Sequence, residues 1–332
     1  MISRRKALRL GSALIACALL LRLADTGLFS FLFPEERGGL PSLLLYLETG
    51  RIVRPPEPTA PPPAAQPAPA ETEPPQTPQP WEFFPEDASL ADFYCTFDYA
   101  PDPEELLSAP LRWDLRQEQP TVLILHTHAT ESYLQEGETY EESALFHTLE
   151  PEHNMISVGE RLAELLEAGG IRVIHDCTVH DYPSYTAAYE NSRATAVKQL
   201  EAHPEIVLVL DLHRDAAEDA AGNQVAVSST VHNLPACQLM LVCGSDAGGL
   251  DHPRWQENLA LAVKLQTWLV QHYPGLCRPV RVCGQRYNQD LLPGYLLVEV
   301  GAAGNTREQA LRTMDALSEA ILALAAGSTF HS

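Results

Sequence analysis

Residues 121–133 read T-V-L-I-L-H-T-H-A-T-E-S-Y, and this stretch decides the fold. Its first half contains a continuous apolar run, Val122–Leu125, which is typical of a buried strand. Its second half brings His126, His128 and Glu131 into six residues. Such side chains are poor core residues, but directly after a buried strand they are well placed to bind a metal ion. We therefore interpret the stretch as a strand with a metal site at its carboxyl end.

The chain beyond this stretch alternates between strand and helix patterns. Short apolar runs predict four further strands, at residues 171–175, 206–210, 239–243 and 296–300. Apolar residues at helical spacing predict helices over residues 157–168, 184–202, 255–272 and 307–325. This alternation predicts one α/β domain over residues 121–328, in which helices cover both faces of a mainly parallel sheet.

Polar side chains stand at the ends of two other predicted strands. The strand at 206–210 is followed by D-L-H-R-D, which contains His213 and Arg214, and Glu299 lies near the end of the last strand. Because the carboxyl ends of parallel strands lie at one edge of a sheet, we expect these residues to meet the first stretch there.

The residue types at this edge are those of a hydrolytic zinc site. In the spacing His128-x-x-Glu131, residues three apart can face the same way on a turn. Together with His213 they form two histidines and one glutamate, the ligand set of open catalytic zinc sites. Such a site needs a general base, for which Glu299 is the candidate. Arg214 is the candidate donor to an oxyanion or to a substrate carboxylate, and Zn2+ is the expected cofactor.

The charge balance excludes two classes of partner. The 332 residues include 22 basic and 44 acidic side chains, a formal net charge of -22. Binding to nucleic-acid phosphates or to anionic lipid requires a basic surface, so no nucleic-acid partner is expected. The seven cysteines include no C-x-x-C pair, which argues against a thiolate zinc site. Cys277 and Cys283 flank R-P-V-R-V and form either a disulfide or ordinary buried thiols.

The start of the chain predicts a membrane anchor. Residues 1–35 begin with positive charges and contain an uncharged run at 10–21 and an apolar run at 28–33. This pattern is typical of an uncleaved signal anchor. The positive end should stay in the cytoplasm, so we expect the rest of the chain outside the cell membrane.

Two segments separate this anchor from the α/β domain. Residues 51–85 hold 13 of the chain's 27 prolines, 12 of them between Pro55 and Pro80, which predicts a disordered, extended linker. Residues 86–120 carry scattered aromatic side chains without a clear period, and we expect an irregular arm that packs on the domain.

Six blocks of the chain match one known family. They are H-T-H-A-T-E-S-Y at 126–133, V-I-H-D-C-T-V-H-D-Y-P-S-Y at 173–185, D-L-H-R-D-A at 211–216, H-P-R-W-Q-E-N-L-A at 252–260, Y-N-Q-D-L-L-P-G at 287–294 and E-V-G-A-A-G-N-T at 299–306. In these blocks the chain resembles the stage II sporulation protein P family, membrane-anchored peptidoglycan hydrolases of endospore formers. The blocks extend over essentially all of residues 121–325.

The resemblance implies a zinc-dependent N-acetylmuramoyl-L-alanine amidase with an additional endopeptidase activity on stem peptides. It implies peptidoglycan as the substrate and a lytic transglycosylase as a partner during engulfment in sporulation. It also implies a fold similar to that of zinc peptidoglycan amidases and related to zinc carboxypeptidases. Two other functions stay open: a zinc carboxypeptidase or endopeptidase on stem peptides only, and a non-catalytic wall-binding module on a membrane anchor.

The resemblance also implies roles for individual residues. The strand-end histidine of the family falls on His213, and the E-V-G motif places the late catalytic glutamate on Glu299. The first histidine of the family falls on His128, and His126 remains possible.

The glutamate ligand has two possible positions. The carboxypeptidase-like His-x-x-Glu pattern selects Glu131, which we prefer, whereas the amidase pattern places the ligand near Glu150 or Glu152. The acidic stretch at 136–153 is expected to form a loop over the site. The remaining histidines are expected at the surface or in a supporting role, with His180 and His252 as the exceptions.

Overall fold

The computed structural model describes residues 85–111, 114–134, 146–217 and 224–327. The predicted anchor at 1–35 and all but the last residue of the predicted linker at 51–85 lie outside these residues. Among the helices that are described, none is both long and apolar enough to cross a membrane.

The described residues form nine strands and five α-helices. The strands are β1 (Phe93–Cys95), β2 (Val122–Leu125), β3 (Val173–His175), β4 (Leu208–Asp215), β5 (Ser228–Val231), β6 (Leu234–Cys237), β7 (Leu239–Gly244), β8 (Val280–Cys283) and β9 (Tyr295–Ala302). The helices are α1 (Pro103–Ser108), α2 (Met155–Ala168), α3 (Ala188–Ala202), α4 (Trp255–His272) and α5 (Arg307–Gly327). All the strands and helices predicted from the sequence are present, with bounds that differ by a few residues.

Seven strands form one sheet in the order β1-β8-β7-β9-β4-β2-β3. Five of its six neighbouring pairs are parallel, and β7 and β9 pair antiparallel. β5 and β6 form a separate antiparallel hairpin. The predicted α/β fold with a mainly parallel sheet is therefore confirmed.

Helices cover the two faces of this sheet unequally. On the first face, alternate strand residues such as Leu208, Leu210 and Leu212 belong to a large core that includes residues of α2, α4 and α5. On the second face, Val209 belongs to a smaller core with Ala196 of α3. Helices therefore lie on both faces, as predicted, but of the described helices only α3 packs on the second face, near β2 and β4.

The rest of the second face lies over β7, β8 and β9. Its apolar side chains form a small cluster beside the Tyr287 ring, to which no described helix contributes: Met240, Val242, Cys283 and Leu297. This area of the sheet is available as the floor of a cleft.

The segment before β2 is more regular than the irregular arm that the sequence predicts. β1 forms the sheet edge beside β8, with Phe93 and Cys95 packed against the large core and Tyr94 exposed on the second face. Helix α1 begins after Asp102, whose carboxylate accepts hydrogen bonds from two backbone N–H groups. A strand of three residues is too short to show a period, which is why the sequence pattern did not reveal it.

The cysteines among the described residues are all free thiols. A disulfide between Cys277 and Cys283 is therefore wrong. Cys277 lies beside Leu239 and Cys283 beside Gly244 of β7, and five residues of extended strand at about 3.3 Å each exceed the ~7 Å Cα separation that a disulfide can span.

Candidate active site

Strands β4 and β9 place two functional side chains next to each other. β4 extends through Asp215 instead of ending at residue 210, so D-L-H-R-D lies within the strand and its side chains alternate between the faces. His213 therefore lies on the second face. It is paired in register with Glu299 of β9, and paired residues of neighbouring strands point to the same side. The sheet thus brings His213 and Glu299 together.

The turn after β2 adds two more side chains. The backbone N–H of Glu131 donates to the carbonyl of His128 (3.2 Å), which closes the turn. A carboxylate oxygen of Glu131 accepts a hydrogen bond from the backbone N–H of Arg214 (3.0 Å), which ties the turn to β4. As a result, His128 and Glu131 line the same cleft as His213 and Glu299.

This cleft has a volume of about 220 Å³. Tyrosine, arginine and aspartate side chains complete its polar lining: Tyr185, Tyr189, Tyr287, Arg214, Arg281 and Asp215. The cleft therefore combines two histidines and several carboxylates with an aromatic wall.

His128 is held between an aromatic ring and a carboxylate. Its ring stacks on Tyr185, with 4.1 Å between ring centroids and 9° between the planes. Its Nδ1 lies 3.8 Å from Asp181, whose carboxylate accepts a hydrogen bond from the Thr130 hydroxyl (2.6 Å). Burial lowers the pKa of His128 to about 4, so the imidazole is neutral at pH 7, and neutral imidazole is the form that binds metals.

His213 lies between two carboxylates. Its Nε2 is 3.1 Å from Asp211, and its Nδ1 is 3.6 Å from Glu131. Burial opposes a positive charge here, yet these carboxylates hold the pKa of His213 well above its ordinary value. Burial also opposes the charge of Glu131, but His213 and Arg214 hold the pKa of this carboxyl well below its ordinary range. The two residues form a charged pair inside the cleft.

Glu299 has the opposite electrostatic environment from Glu131. Burial raises the pKa of Glu299 to about 8, and the Glu131 and Asp215 carboxylates act in the same direction, against His213. One oxygen of the Glu299 carboxyl group is buried without a hydrogen-bond partner. A carboxyl group with a pKa near neutrality is suited to take up and release a proton.

The residues of the cleft fit a zinc ion in donor type and orientation. Nδ1 of His128, on the side of Asp181, and Nε2 of His213, on the side of Asp211, are buried without hydrogen-bond partners. Metal-binding histidines are commonly oriented by a carboxylate near the nitrogen that does not bind the metal. The distance of 3.6 Å from Nδ1 of His213 to Glu131 is near the ~3.3 Å expected between two ligands of a tetrahedral zinc ion.

The distances for a complete metal site are not in place. Within the described ranges, no three His, Cys, Asp or Glu side chains are grouped so that they could hold a metal ion. The ring of His128 meets that of His213 edge-on, with 5.3 Å between the centroids. The fit to zinc therefore rests on the donor types and on the carboxylates behind the two histidines.

His126 does not reach the cleft. It is fully buried, with Nδ1 3.2 Å from the carbonyl of Leu212 and Nε2 2.9 Å from Nε2 of His175. Gly159 of α2 lies against this pair, where an added Cβ atom would stand 2.6 Å from His126. The alternative prediction that His126 is a metal ligand is not supported, because both ring nitrogens make contacts inside the fold.

Arg214 holds a loop in place, whereas the sequence suggested a contact with the substrate. Its Nε donates to the carbonyl of Ser132 (3.1 Å), and one Nη donates to the carbonyl of Phe146 (2.8 Å). Two of the three guanidinium nitrogens are therefore engaged within the fold and are less available to an oxyanion or a substrate carboxylate. Together with its backbone bond to Glu131, they fix the position of that carboxylate.

Other residues considered in the sequence lie outside the cleft. Glu150 and Glu152 are exposed to solvent and do not line it. His180 is buried and donates from Nδ1 to the carbonyl of His126 (2.7 Å), so it supports the chain directly after β2. His252 is buried but does not line the cleft. Residues 136–145 of the predicted acidic loop lie outside the described residues.

Sequence reasoning missed the aromatic wall and one cation. Tyr185 and Tyr189 lie four residues apart around the start of α3, Tyr287 lies about a hundred residues later, and no periodic pattern places the three at the cleft. The blocks H-D-Y-P-S-Y and Y-N-Q-D contain Tyr185 and Tyr287, and the first also contains Asp181, so the family resemblance was the signal that could have revealed them. Arg281 had no comparable signal.

A sequence model of the stage II sporulation protein P family matches residues 66–322, which is more than half of the chain. The chain belongs to this family. It is similar to stage II sporulation protein P of Bacillus subtilis (strain 168), with 27% identity over 217 residues. That match covers 61% of this chain and 50% of the relative, so the chain spans about half the length of this curated relative.

The solved structures to which the chain is similar have low sequence identity to it. N-acetylmuramoyl-L-alanine amidase AmiC2 of Nostoc punctiforme is 14% identical, with a TM-score of 0.37 over 60% of this chain and 94% of that chain. The N-acetylmuramyl-L-alanine amidase Ami1 from Mycobacterium smegmatis is 12% identical, with a TM-score of 0.39 over 62% of this chain and 97% of that chain. At these TM-scores the likeness carries no argument about function.

Proposed function

We propose that this chain is a zinc-dependent peptidoglycan hydrolase of sporulation, which cleaves the amide bond between the lactyl group of muramic acid and L-alanine. Membership of the family supports the general function, because resemblance to the family implies a peptidoglycan hydrolase. The observation that carries the proposal is the convergence of two histidines and two glutamates in one cleft: His128, Glu131, His213 and Glu299.

His128, Glu131 and His213 would hold the zinc ion, which supplies the Lewis acidity that activates water and polarises a carbonyl group. Asp181 orients His128 from the side away from the cleft, and Asp211 does the same for His213. Asp211 is itself fixed, because it accepts hydrogen bonds from the backbone and the side chain of residue 127 (2.7 and 2.6 Å).

Glu299 moves the proton in the proposed reaction. As a carboxylate it accepts a proton from the attacking water, whose oxygen forms a bond to the amide carbon. As the acid it gives that proton to the amide nitrogen while the C–N bond breaks, so that a carboxylic acid and a free amine form, and the acid releases its remaining proton to solvent at neutral pH. Burial raises the pKa of Glu299 to about 8 in the metal-free chain, and the charge of a bound zinc ion would favour the carboxylate form that accepts the proton.

The tyrosines beside His128 restrict its motion and keep water away from it. Tyr185 lies flat on the imidazole, and Tyr189 meets it edge-on with 5.6 Å between the centroids. Such packing fixes the ring in one orientation, which catalytic geometry requires. It also lowers the local dielectric constant, which strengthens the electrostatic interactions inside the cleft.

A peptidase that acts on stem peptides only is the second candidate. The observation that favours it is the position of Glu131 in the cleft, three residues after His128, because this ligand pattern is the carboxypeptidase-like one. The same side chains would have the same roles, and the cleaved bond would join two amino acids.

The place of action is also a proposal. The positive start and the apolar runs of residues 1–35 support an anchor that holds the domain on the outer side of the cell membrane, close to peptidoglycan. A lytic transglycosylase partner during engulfment rests on the family resemblance alone.

Digestion of purified sacculi tests the proposed bond. The zinc-loaded chain should release intact stem peptides with a free L-alanine amino group and leave glycan strands without peptides. Shortened peptides that remain on the glycan would instead favour the peptidase. If the chain binds sacculi and cleaves no bond, the hydrolase is refuted and the wall-binding module remains.

A further inference from the structure

The floor of the cleft continues across the sheet, away from Glu299. Strand register places Leu297 of β9 beside Val242 of β7, and Val242 beside Arg281 of β8. Arg281 is in turn paired with Tyr94 of the edge strand β1. Paired residues point to the same side of a sheet, so these side chains form one row on the second face.

Arg281 is a cation of this row that the fold leaves without a carboxylate. Its side chain lines the cleft, and its Nε is buried without a hydrogen-bond partner. Within the described ranges, no Asp or Glu forms an ion pair with Arg281. Six of the eleven arginines in those ranges do form ion pairs: Arg161, Arg193, Arg254, Arg278, Arg286 and Arg307.

The unpaired nitrogen points to an acceptor that a ligand brings. A buried donor without an acceptor destabilises the fold, so a protein gains by pairing it when the ligand binds. The planar guanidinium group matches a carboxylate, which can accept two parallel hydrogen bonds from it. The cleft also contains the carboxyl groups of Glu131, Glu299 and Asp215, and the chain has a net charge of -22. Arg281 therefore places a positive charge in an otherwise acidic environment.

The position of Arg281 fixes how far the ligand group lies from the reacting bond. Neighbouring strands are about 4.8 Å apart, and Arg281 lies two strands from β9 in the row of Leu297, two residues along β9 from Glu299, so the backbones of Arg281 and Glu299 are about 12 Å apart. An extended peptide covers this distance in about three to four residues, and the long arginine side chain shortens the span that the peptide must cover. Tyr94 lies beside Arg281 with 59% of its surface exposed, and its ring is available to the same peptide segment.

We propose that Arg281 binds a free carboxylate of the substrate's peptide, on the second or third residue beyond the scissile amide. This inference rests on the proposed function, because it takes the scissile amide to lie at Glu299. It makes Arg281 a specificity-determining residue, which favours stem peptides with a free acidic side chain or α-carboxylate over amidated ones.

Two synthetic muramoyl-peptides test the inference with the full-length, zinc-loaded chain. They differ only in whether the acidic groups of the second and third residues are free carboxylates or carboxamides. The wild-type chain should cleave the free acid with a kcat/KM about 10- to 100-fold higher, the range that a lost hydrogen bond to a charged group produces. The difference should lie in KM, because the contact is the same before and during the reaction.

Substitution of Arg281 should remove this preference. Arg281→Gln should cleave both peptides with the kcat/KM that the wild type shows for the amidated one. Arg281→Lys should keep part of the preference for the free acid, because lysine retains the positive charge. Arg254→Gln is the matched control, because Arg254 pairs with Glu257 on an exposed part of α4 and does not line the cleft. Circular dichroism establishes that each variant is folded.

Two results would overturn the inference and leave the hydrolase in place: equal kcat/KM for both peptides in the wild type, or an unchanged preference in Arg281→Gln. If neither peptide is cleaved, the proposed function fails, and equilibrium binding of the two peptides to a Glu299→Gln chain decides the inference. Tighter binding of the free acid, lost when Arg281→Gln is added, supports it, and equal binding overturns it.

Discussion

Replacement of Glu299 by glutamine should change how the stability of the metal-free protein depends on pH. Burial raises the pKa of Glu299 from 4.5 to about 8, so between these values the folded protein keeps a proton that the unfolded chain has released. Where the folded state binds more protons than the unfolded state, stability falls as the pH rises. The free energy of unfolding of the wild-type protein should therefore fall between pH 4.5 and 8 relative to that of the glutamine variant, which has no carboxyl group at this position.

The expected magnitude follows from the difference between these pKa values. Each pH unit in this interval is worth about 1.4 kcal/mol. The advantage of the variant in free energy of unfolding should therefore reach at most about 3 kcal/mol at pH 7 and about 5 kcal/mol above pH 8. Glutamine has nearly the same shape as glutamate, and any cost of its amide adds an offset that does not change with pH.

Urea unfolding of the two proteins after EDTA treatment, followed by circular dichroism, measures this difference. The difference in free energy of unfolding should grow with pH and become constant above pH 8. Added zinc should reduce the trend, because a nearby cation favours the carboxylate. Glu160→Gln, at an exposed position of α2, is the control and should show no trend. A difference for Glu299→Gln that stays constant with pH would refute the buried carboxyl group with a raised pKa, and with it the basis for proton transfer.

Three further substitutions probe the surroundings of the site and the core. Tyr185→Ala removes the ring stacked on His128 and should lower kcat/KM on peptidoglycan fragments about tenfold, whereas Tyr185→Phe should keep the activity. Gly159→Ala forces a Cβ atom against two buried histidines and should lower the free energy of unfolding by about 1–3 kcal/mol in urea titrations, and no change would contradict that packing. Burial lowers the pKa of Lys264 from 10.5 to about 8, so between these pH values the unfolded state binds more protons than the folded state. The free energy of unfolding of the wild type should therefore rise with pH in this interval, by up to about 3 kcal/mol relative to Lys264→Met. A pH-independent difference between these two proteins would contradict this.

Local patterns were enough to predict the sheet and several of the residues that meet in the cleft. The apolar run Val122–Leu125 and the helical spacing of residues 255–272 are properties of short stretches, and both elements are present. His213 and Glu299 come from distant stretches, but the ends of parallel strands share an edge, so their meeting could be predicted without the structure.

The remaining features depend on contacts that no short stretch contains. The sequence alone does not distinguish His126 from His128 as a ligand. The structure distinguishes them, because the Leu212 carbonyl and His175 contact His126 inside the fold. β4 does not end with its apolar residues but continues through polar residues to Asp215. The orientation of Arg214 follows from its position within this longer strand. Arg281 reaches the cleft through the order and register of β1, β8 and β7, which are properties of the assembled sheet.

The zinc content of the purified full-length chain tests the central claim most directly. After incubation with zinc and dialysis, elemental analysis should find one zinc ion per wild-type chain and at most about a tenth of that in His213→Ala. His126→Asn should retain the zinc, because His126 lies outside the cleft. A wild-type chain without zinc, or a His213→Ala chain that retains it in full, would contradict the account.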